Sequence, residues 1–305
     1  MANRIKEKYM AGKRYFDYPM LFLVIFLICF GLVMIYSTSS YKSTVTYGNS
    51  YHWLLRQAVA IVLGAVAMVV CCKLDYHIMK SEKFGNGCYW ASIVLLVLVL
   101  IIGAAKKGAV RWISIAGFQF QPSEVSKILV VIYLANRLSA NAHKIRTFKD
   151  SIVIVLPTIP IIALIVTQNL STALVVCSMI GVMLFVVSPK MKELMLTAGG
   201  GIILLFVYLL TANSYRNERV QIWLHPESHK KGFQTMQALY AIGSGGIFGK
   251  GLGQSMQKMG FIPESHNDMI FSIICEELGL FGAVCLILVF VALIFRMLLI
   301  ALNTE

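Results

Sequence analysis

Long apolar runs alternate with short polar segments along almost the whole chain. A helix needs about 20 apolar residues to cross a bilayer. Met20–Tyr36, Leu54–Cys72, Tyr89–Ala104 and Leu194–Thr211 meet that requirement easily. Ile152–Val166 and Leu170–Val187, separated only by Thr167, Gln168 and Asn169, read as a helical hairpin. Ile270–Ile294 is a further span with Glu276 and Glu277 near its start, and Pro122–Leu138 is the weakest because it contains Ser123, Glu124 and Lys127. The pattern predicts an all-α polytopic membrane protein of eight transmembrane helices, with residues 1–305 forming a single membrane domain. The first run is too long for a cleaved signal peptide and no small-residue cleavage site follows it.

Composition sharpens this reading. Of 305 residues, 58% are hydrophobic and 13% charged, against about a quarter charged in soluble domains. The mean hydropathy is +0.76. These values exclude a disordered chain, a nucleic-acid-binding module and an ordinary cytosolic enzyme. The net charge of +13 is scattered between the apolar runs, where Lys and Arg set topology. Arg4, Lys6, Lys8, Lys13 and Arg14 place the N-terminus in the cytoplasm, and Lys73, Lys80 and Lys83, Arg137, Lys144, Arg146 and Lys149, and Lys190 and Lys192 place alternate loops with it. The opposite loops are then Ser37–Trp53, Ala105–Gln121 and the long Ala212–Met269, and eight spans return the C-terminus inside. The seven cysteines lie in or beside apolar stretches without metal-ligand spacing and read as small apolar residues.

Three places on the outer side carry candidate chemistry. Lys106–Trp112 includes Arg111, and the stretch after it, Gln121–Lys127, puts Pro122 and Glu124 in the first turn of a helix, where both are favoured. Glu124 and Lys127, three apart, can pair on one face; the alternatives are a functional pair facing a cavity and a structural ion pair. In the long loop, Arg216 and Arg219 are also three apart. They can grip a phosphate or pyrophosphate by bidentate bonds, or snorkel to lipid headgroups. The run Gly243–Gly253 resembles a phosphate loop but fails the pattern, with Ser244 and Gly251 where Gly and Ser or Thr are required; close backbone packing suits it better. Finally, Glu264, His266 and Asp268 alternate just before the last span and share one face if the chain is extended. A carboxylate at the water–membrane boundary suits a general base toward a lipid-anchored substrate. The competing readings are that Asp268 caps the last helix, or that the trio holds a metal. Glu276 and Glu277 call for a cation inside the bundle. Two classes fit: an enzyme acting on a lipid-linked anionic substrate, or a transporter of one. Polarity concentrated in one large outer loop, not at the midplane of two matching halves, favours the enzyme.

At these residues the chain resembles the SEDS family (FtsW/RodA/SpoVE). The resemblance is carried by Gly108–Ile113, Gln121–Glu124 with Lys127, Tyr215–Arg219, Gly245–Gly253, Pro263–Phe271 and Glu276–Gly279, in family order across nearly the whole chain; Gln257-Lys258-Met259 points to the FtsW/SpoVE branch. It implies a peptidoglycan glycosyltransferase that polymerises lipid II at the outer face of the bacterial plasma membrane, in division, elongation or sporulation. The implied partners are a class B penicillin-binding protein and other divisome or elongasome membrane proteins, with no nucleic acid. The family's catalytic aspartate falls on Asp268, which would deprotonate the acceptor sugar's 4-hydroxyl. Arg111, Lys127, Arg216 and Arg219 would stabilise the departing pyrophosphate. Glu264 and His266 would position substrate or hold a divalent cation such as Mg2+, and Glu124 and Glu277 would support the site.

Two departures stand out. Where the family has Gln-Pro-Asp-Leu-Gly-Thr, this chain has Gln168-Asn169-Leu170-Ser171-Thr172. The family also has ten spans, so this chain is expected to stop where the ninth begins, and a truncated form could be inactive. A lipid II flippase, or a non-catalytic scaffold for the penicillin-binding protein, are the alternative functions.

Overall fold

The computed structural model describes residues 16–106, 109–115, 118–142, 145, 148–187, 199, 221–229 and 232–303. Six helices among them are long and apolar enough to cross a membrane. The protein is therefore a multi-pass helical membrane protein. Contacts divide it into two compact units, one of Cys72–Ala212 and one of Met1–Cys71 with Asn213–Glu305.

In the unit of two chain segments, α1 (Tyr18–Tyr47) and α2 (His52–Lys73) form a hairpin, followed much later by α8 (Phe233–Ser244) and α9 (Ile270–Asn303). The expected loop Ser37–Trp53 is a correction. α1 runs helical to Tyr47 and ends on the left-handed Gly48, whose N–H bonds the Thr44 carbonyl at 3.0 Å. The run of hydroxyls that reads as loop is helix because its side chains do not compete for the backbone outside the helix: Thr38 and Thr44 return their hydroxyls to the carbonyls of Ile35 and Ser40. Ser37, Thr38, Ser39 and Ser43 are buried. Met34, Ile274 and Leu286 pack α1 against α9. The other ends of these two helices are tied by Arg296, which meets Asp17 at 2.5 Å, while Asp17 also caps α1 by accepting from the Met20 N–H at 2.8 Å.

The other unit contains α3 (Glu82–Ile102), a small sheet, α4 (Pro122–Ala140), α5 (Phe148–Val155), α6 (Ile159–Gln168) and α7 (Leu170–Val187). Leu96, Val130, Leu134, Ile161, Ile165 and Val176 form its core. The all-α expectation needs one correction here. The segment expected as the loop Ala105–Gln121 is an antiparallel sheet of β1 (Ala104–Lys106), β2 (Ala109–Ile115) and β3 (Phe118–Phe120). Its β-branched and aromatic residues are too few to span a bilayer and instead pair across strands, Trp112 opposite Ala104 and Ile113 opposite Phe120. α4 is a helix but is not among the six apolar ones, in keeping with its polar residues. α5 and α6 are one span interrupted by the 3-10 turn Leu156–Thr158, because Pro157 and Pro160 lack the N–H a continuous helix needs. The α6–α7 turn shrinks to Asn169, whose side chain accepts from the Ser171 N–H at 3.1 Å. The span Leu194–Thr211 lies, but for Gly199, outside the described residues.

Candidate functional site

The last helix carries the site's foundation. α9 is not continuous: Gly279 adopts φ 69° and ψ −171°, which breaks hydrogen bonding along the helix. Inside a membrane every freed backbone group must find a partner. The glycine-rich run supplies them. The N–H groups of Lys250 and Gly251 donate to the Glu276 and Glu277 carbonyls, both at 2.9 Å, and those of Leu280 and Phe281 donate to the Gly246 and Ile247 carbonyls at 2.9 and 3.0 Å. The backbones approach so closely that side chains are excluded. A Cβ on Gly249 would lie 2.2 Å from the Glu277 carbonyl oxygen, and one on Gly245 would lie 2.0 Å from that of Cys275.

Two ion pairs on buried glutamates reinforce this joint, one of them buried on both sides. Glu276 accepts from Lys250 Nζ at 2.7 Å, from the hydroxyls of Ser244 and Ser255, and from the Met256 and Gln257 N–H groups. Glu277, fully buried, accepts from Lys258 Nζ at 2.7 Å and from Ser37 Oγ at 2.8 Å. Lys258 is itself only 5% exposed and donates to Ser37 Oγ at 3.0 Å. The cations for both carboxylates thus come from the loop, and α1 contributes a hydroxyl.

The chain then turns through 259–269 to reach α9. Ile262 is buried with Ala241 and Ile273, and Ser265 donates its hydroxyl to the Thr38 carbonyl at 3.2 Å. The extended arrangement of Glu264, His266 and Asp268 is a correction: residues 263–269 form successive turns, and Glu264 has φ 56°. Anchoring at Ile262 and Ser265 leaves too little chain for a strand. His266 packs against Trp53 with ring centroids 4.6 Å apart, and Arg56 lies over the same indole at 5.7 Å. Burial, helped by the Lys42 ammonium and opposed by Glu264, holds the His266 imidazole below its ordinary 6.5. Asp268 is exposed, and among the described residues its carboxylate has no hydrogen-bond or ion-pair partner. Met269, not Asp268, directly precedes the first helical residue Ile270, and the Asp268 carboxylate accepts from no N–H of the first turn of α9, so Asp268 does not cap it.

The remaining candidates belong to the other unit or lie outside the described residues. Lys127 pairs with Glu124 at 2.9 Å in the first turn of α4, with side-chain exposures of 21% and 54%. Arg111 lies on β2, and its side chain falls outside the described residues. So do Arg216 and Arg219 entirely. Among the described residues no group of three or more His, Cys, Asp or Glu side chains is placed to hold a metal ion. Among the described residues, Glu264 and His266 are thus joined by no third side chain of these types. Sequence reasoning gave Ser37, Lys258 and Trp53 no role in the site, and noted Lys258 only within the run that marks the FtsW/SpoVE branch. The available signals were a lysine flanked closely by Met256, Met259 and Phe261, and hydroxyls continuing an apolar run.

Comparison with known proteins accords with this arrangement. The FtsW/RodA/SpoVE cell cycle protein family model matches residues 18–305. The probable peptidoglycan glycosyltransferase FtsW of Geobacter metallireducens is 35% identical over 300 residues, covering 95% of this chain and 78% of the relative. That of Methylococcus capsulatus is 36% identical, covering 97% and 75%. Among solved structures, a peptidoglycan synthase complex that couples polymerization and crosslinking superposes with a TM-score of 0.75 at 27% identity, covering 96% of this chain and 80% of that one. The rod shape determining protein RodA of Thermus thermophilus gives 0.65 at 26% identity, covering 95% and 76%. With the family model spanning nearly its whole length, the chain belongs to the FtsW/RodA/SpoVE family of cell cycle proteins.

Proposed function

We propose that this protein is a peptidoglycan glycosyltransferase that polymerises lipid II at the outer face of the bacterial plasma membrane, with Asp268 as general base. The observation that carries the reading is the exposed carboxylate of Asp268, without a hydrogen-bond or ion-pair partner among the described residues, on a turn anchored by Ile262 and Ser265 and followed at once by a membrane helix. Such a group has a free lone pair at the level of a lipid headgroup. It takes the proton from the acceptor's 4-hydroxyl, whose oxygen bonds the donor's anomeric carbon. The bond from that carbon to the pyrophosphate breaks, and undecaprenyl pyrophosphate leaves with the electron pair. A single displacement inverts the anomeric centre. A poor nucleophile needs the base, and an anionic leaving group needs cations. We assign the second role to Arg111, Lys127, Arg216 and Arg219. Relatives with peptidoglycan glycosyltransferase names support the reaction class, and the resemblance to a synthase complex supports a class B penicillin-binding protein as partner.

The test is glycan-strand formation from purified lipid II in detergent, with the class B partner added. Detergent has no leaflets, so polymer there cannot result from flipping. Polymer from the parent, reduced about 100-fold or more in Asp268→Ala and in the isosteric Asp268→Asn, is expected for a lost general base. Undiminished polymer from both variants would refute Asp268 as base.

A further inference from the structure

We propose that Lys258 is a positioning residue for Asp268, acting through its buried grip on Glu277 and Ser37. The inference rests on the assignment of Asp268 as base. Asp268 has no side-chain hydrogen bond or ion pair of its own among the described residues, so its location is inherited from the backbone before it. That backbone is fastened at Lys258, Ile262 and Ser265, and beside them by the His266 ring against Trp53. Lys258 differs from the rest in joining α9 and α1 by hydrogen bonds from a buried charge, to Glu277 at 2.7 Å and to Ser37 at 3.0 Å. Its own N–H is held by Ser255 Oγ at 3.3 Å, and the Ser255 hydroxyl in turn bonds Glu276. The ammonium therefore joins the first helix, the broken last helix and the start of the catalytic turn.

The grip is directional. Ser37 and Thr38 are consecutive on α1; the first meets Lys258, and the second takes the Ser265 hydroxyl three residues before the base. One turn of α1 thus sets both ends of 258–265. A buried ion pair is a weak source of net stability compared with apolar packing of the same volume. An apolar residue at 258 fills the space without fixing the register of the turn. Displacing a catalytic group by about 1 Å costs on the order of 100-fold in rate, so the consequence of a loosened register is catalytic.

The experiment separates this role from simple stability. Lys258→Met leaves Glu277 buried without its cation and is expected to lower both the melting temperature and the activity. Lys258→Met with Glu277→Met replaces the pair by apolar groups. It is expected to recover a melting temperature within about 3 °C of the parent, while kcat for lipid II polymerisation stays roughly 10- to 100-fold down with KM within about threefold. Recovery of kcat together with melting temperature would overturn the proposal, and so would a defect confined to KM, which would make Lys258 a substrate ligand. Ser37→Ala keeps the ion pair and removes only the link to α1. It is expected to lower kcat severalfold without a comparable loss of melting temperature, and wild-type kcat would overturn the proposal even if the double variant does not fold. Asp268→Ala runs in parallel. Activity surviving there marks failure of the base assignment, whereas activity lost there but retained in the Lys258 and Ser37 variants marks failure of this inference alone.

Discussion

Gly279→Ala tests the joint on which the site is built. Gly279 holds φ 69° and ψ −171°, a region open essentially to glycine alone. A non-glycine residue there costs on the order of 1–3 kcal/mol in backbone strain. A Cβ would also lie 2.3 Å from the Gly249 nitrogen and 2.4 Å from the Ile247 carbonyl oxygen. Both are backbone atoms, so neither can rotate aside, and relieving the overlap costs on the order of 1–3 kcal/mol more. The substitution therefore destabilises by roughly 2–6 kcal/mol before any of the flanking loop-to-helix hydrogen bonds is stretched. The control is Gly243→Ala. Gly243 lies in α8 with nothing within 4 Å of a Cβ, so alanine is neutral or stabilising by up to about 1 kcal/mol. The assay is thermal unfolding of the purified proteins in detergent, followed by loss of the monodisperse gel-filtration peak. Gly279→Ala should melt at least about 4 °C below the parent and Gly243→Ala at or above it. Equal melting of Gly279→Ala and the parent would refute the argument that loop and helix break form one close-packed joint.

Two further outcomes concern other parts of the same unit. Arg296→Ala leaves Asp17 partly buried without its cation and should cost about 1–3 kcal/mol in the same unfolding assay; Asp17→Asn, which keeps the cap on α1, should cost less than Asp17→Ala. His266 is held below 6.5 when folded, so the unfolded chain binds more protons between the two values. The stability it contributes is present above pH 6.5 and is lost as pH falls through the lowered folded-state value. Melting temperatures measured from pH 7.5 to 5 should fall less steeply for His266→Phe, which keeps a ring against Trp53, and identical slopes would refute the role of His266.

Helix positions were legible because apolar length alone determines them. Leu170–Val187 is a helix over those same residues, and α2 matches its apolar run within a few positions. Reading failed where polarity was mistaken for exposure. Ser37–Thr44 looks like a loop by composition, yet it is helix because other side chains use its hydroxyls and carbonyls. The alternation Glu264, His266, Asp268 suggested a strand, but period-two patterning matters only where a sheet can receive it, and here buried anchors at Ile262 and Ser265 fold the segment into turns. Glu276 and Glu277 were recognisable as needing cations. Their partners, Lys250 and Lys258, were not, because nothing local brings residues 26 and 19 positions away onto the carboxylates. That contact depends on the break at Gly279, and a glycine in an apolar run does not by itself announce a left-handed residue.

The glycine-rich run illustrates how composition and role separate. Its pattern suggests a cradle for phosphate, but the N–H groups of Lys250 and Gly251 are committed to helix carbonyls. Its one lysine, Lys250, is likewise paired with Glu276, and Lys258 just beyond the run is paired with Glu277. This commitment follows from the solvent. A helix interrupted within hydrocarbon leaves donors and acceptors that water cannot reach, and a loop of small residues is able to approach closely enough to satisfy them. Adjacent glutamates face different sides of α9, so each takes its own lysine, and the buried zone carries no unpaired charge from these four groups. The acidic chemistry is left to the turn that follows, where Asp268 reaches water with no competing cation among the described residues. The joint thus uses up charges that would otherwise compete for the proposed base, and on the proposal above the same interactions fix the backbone that carries it.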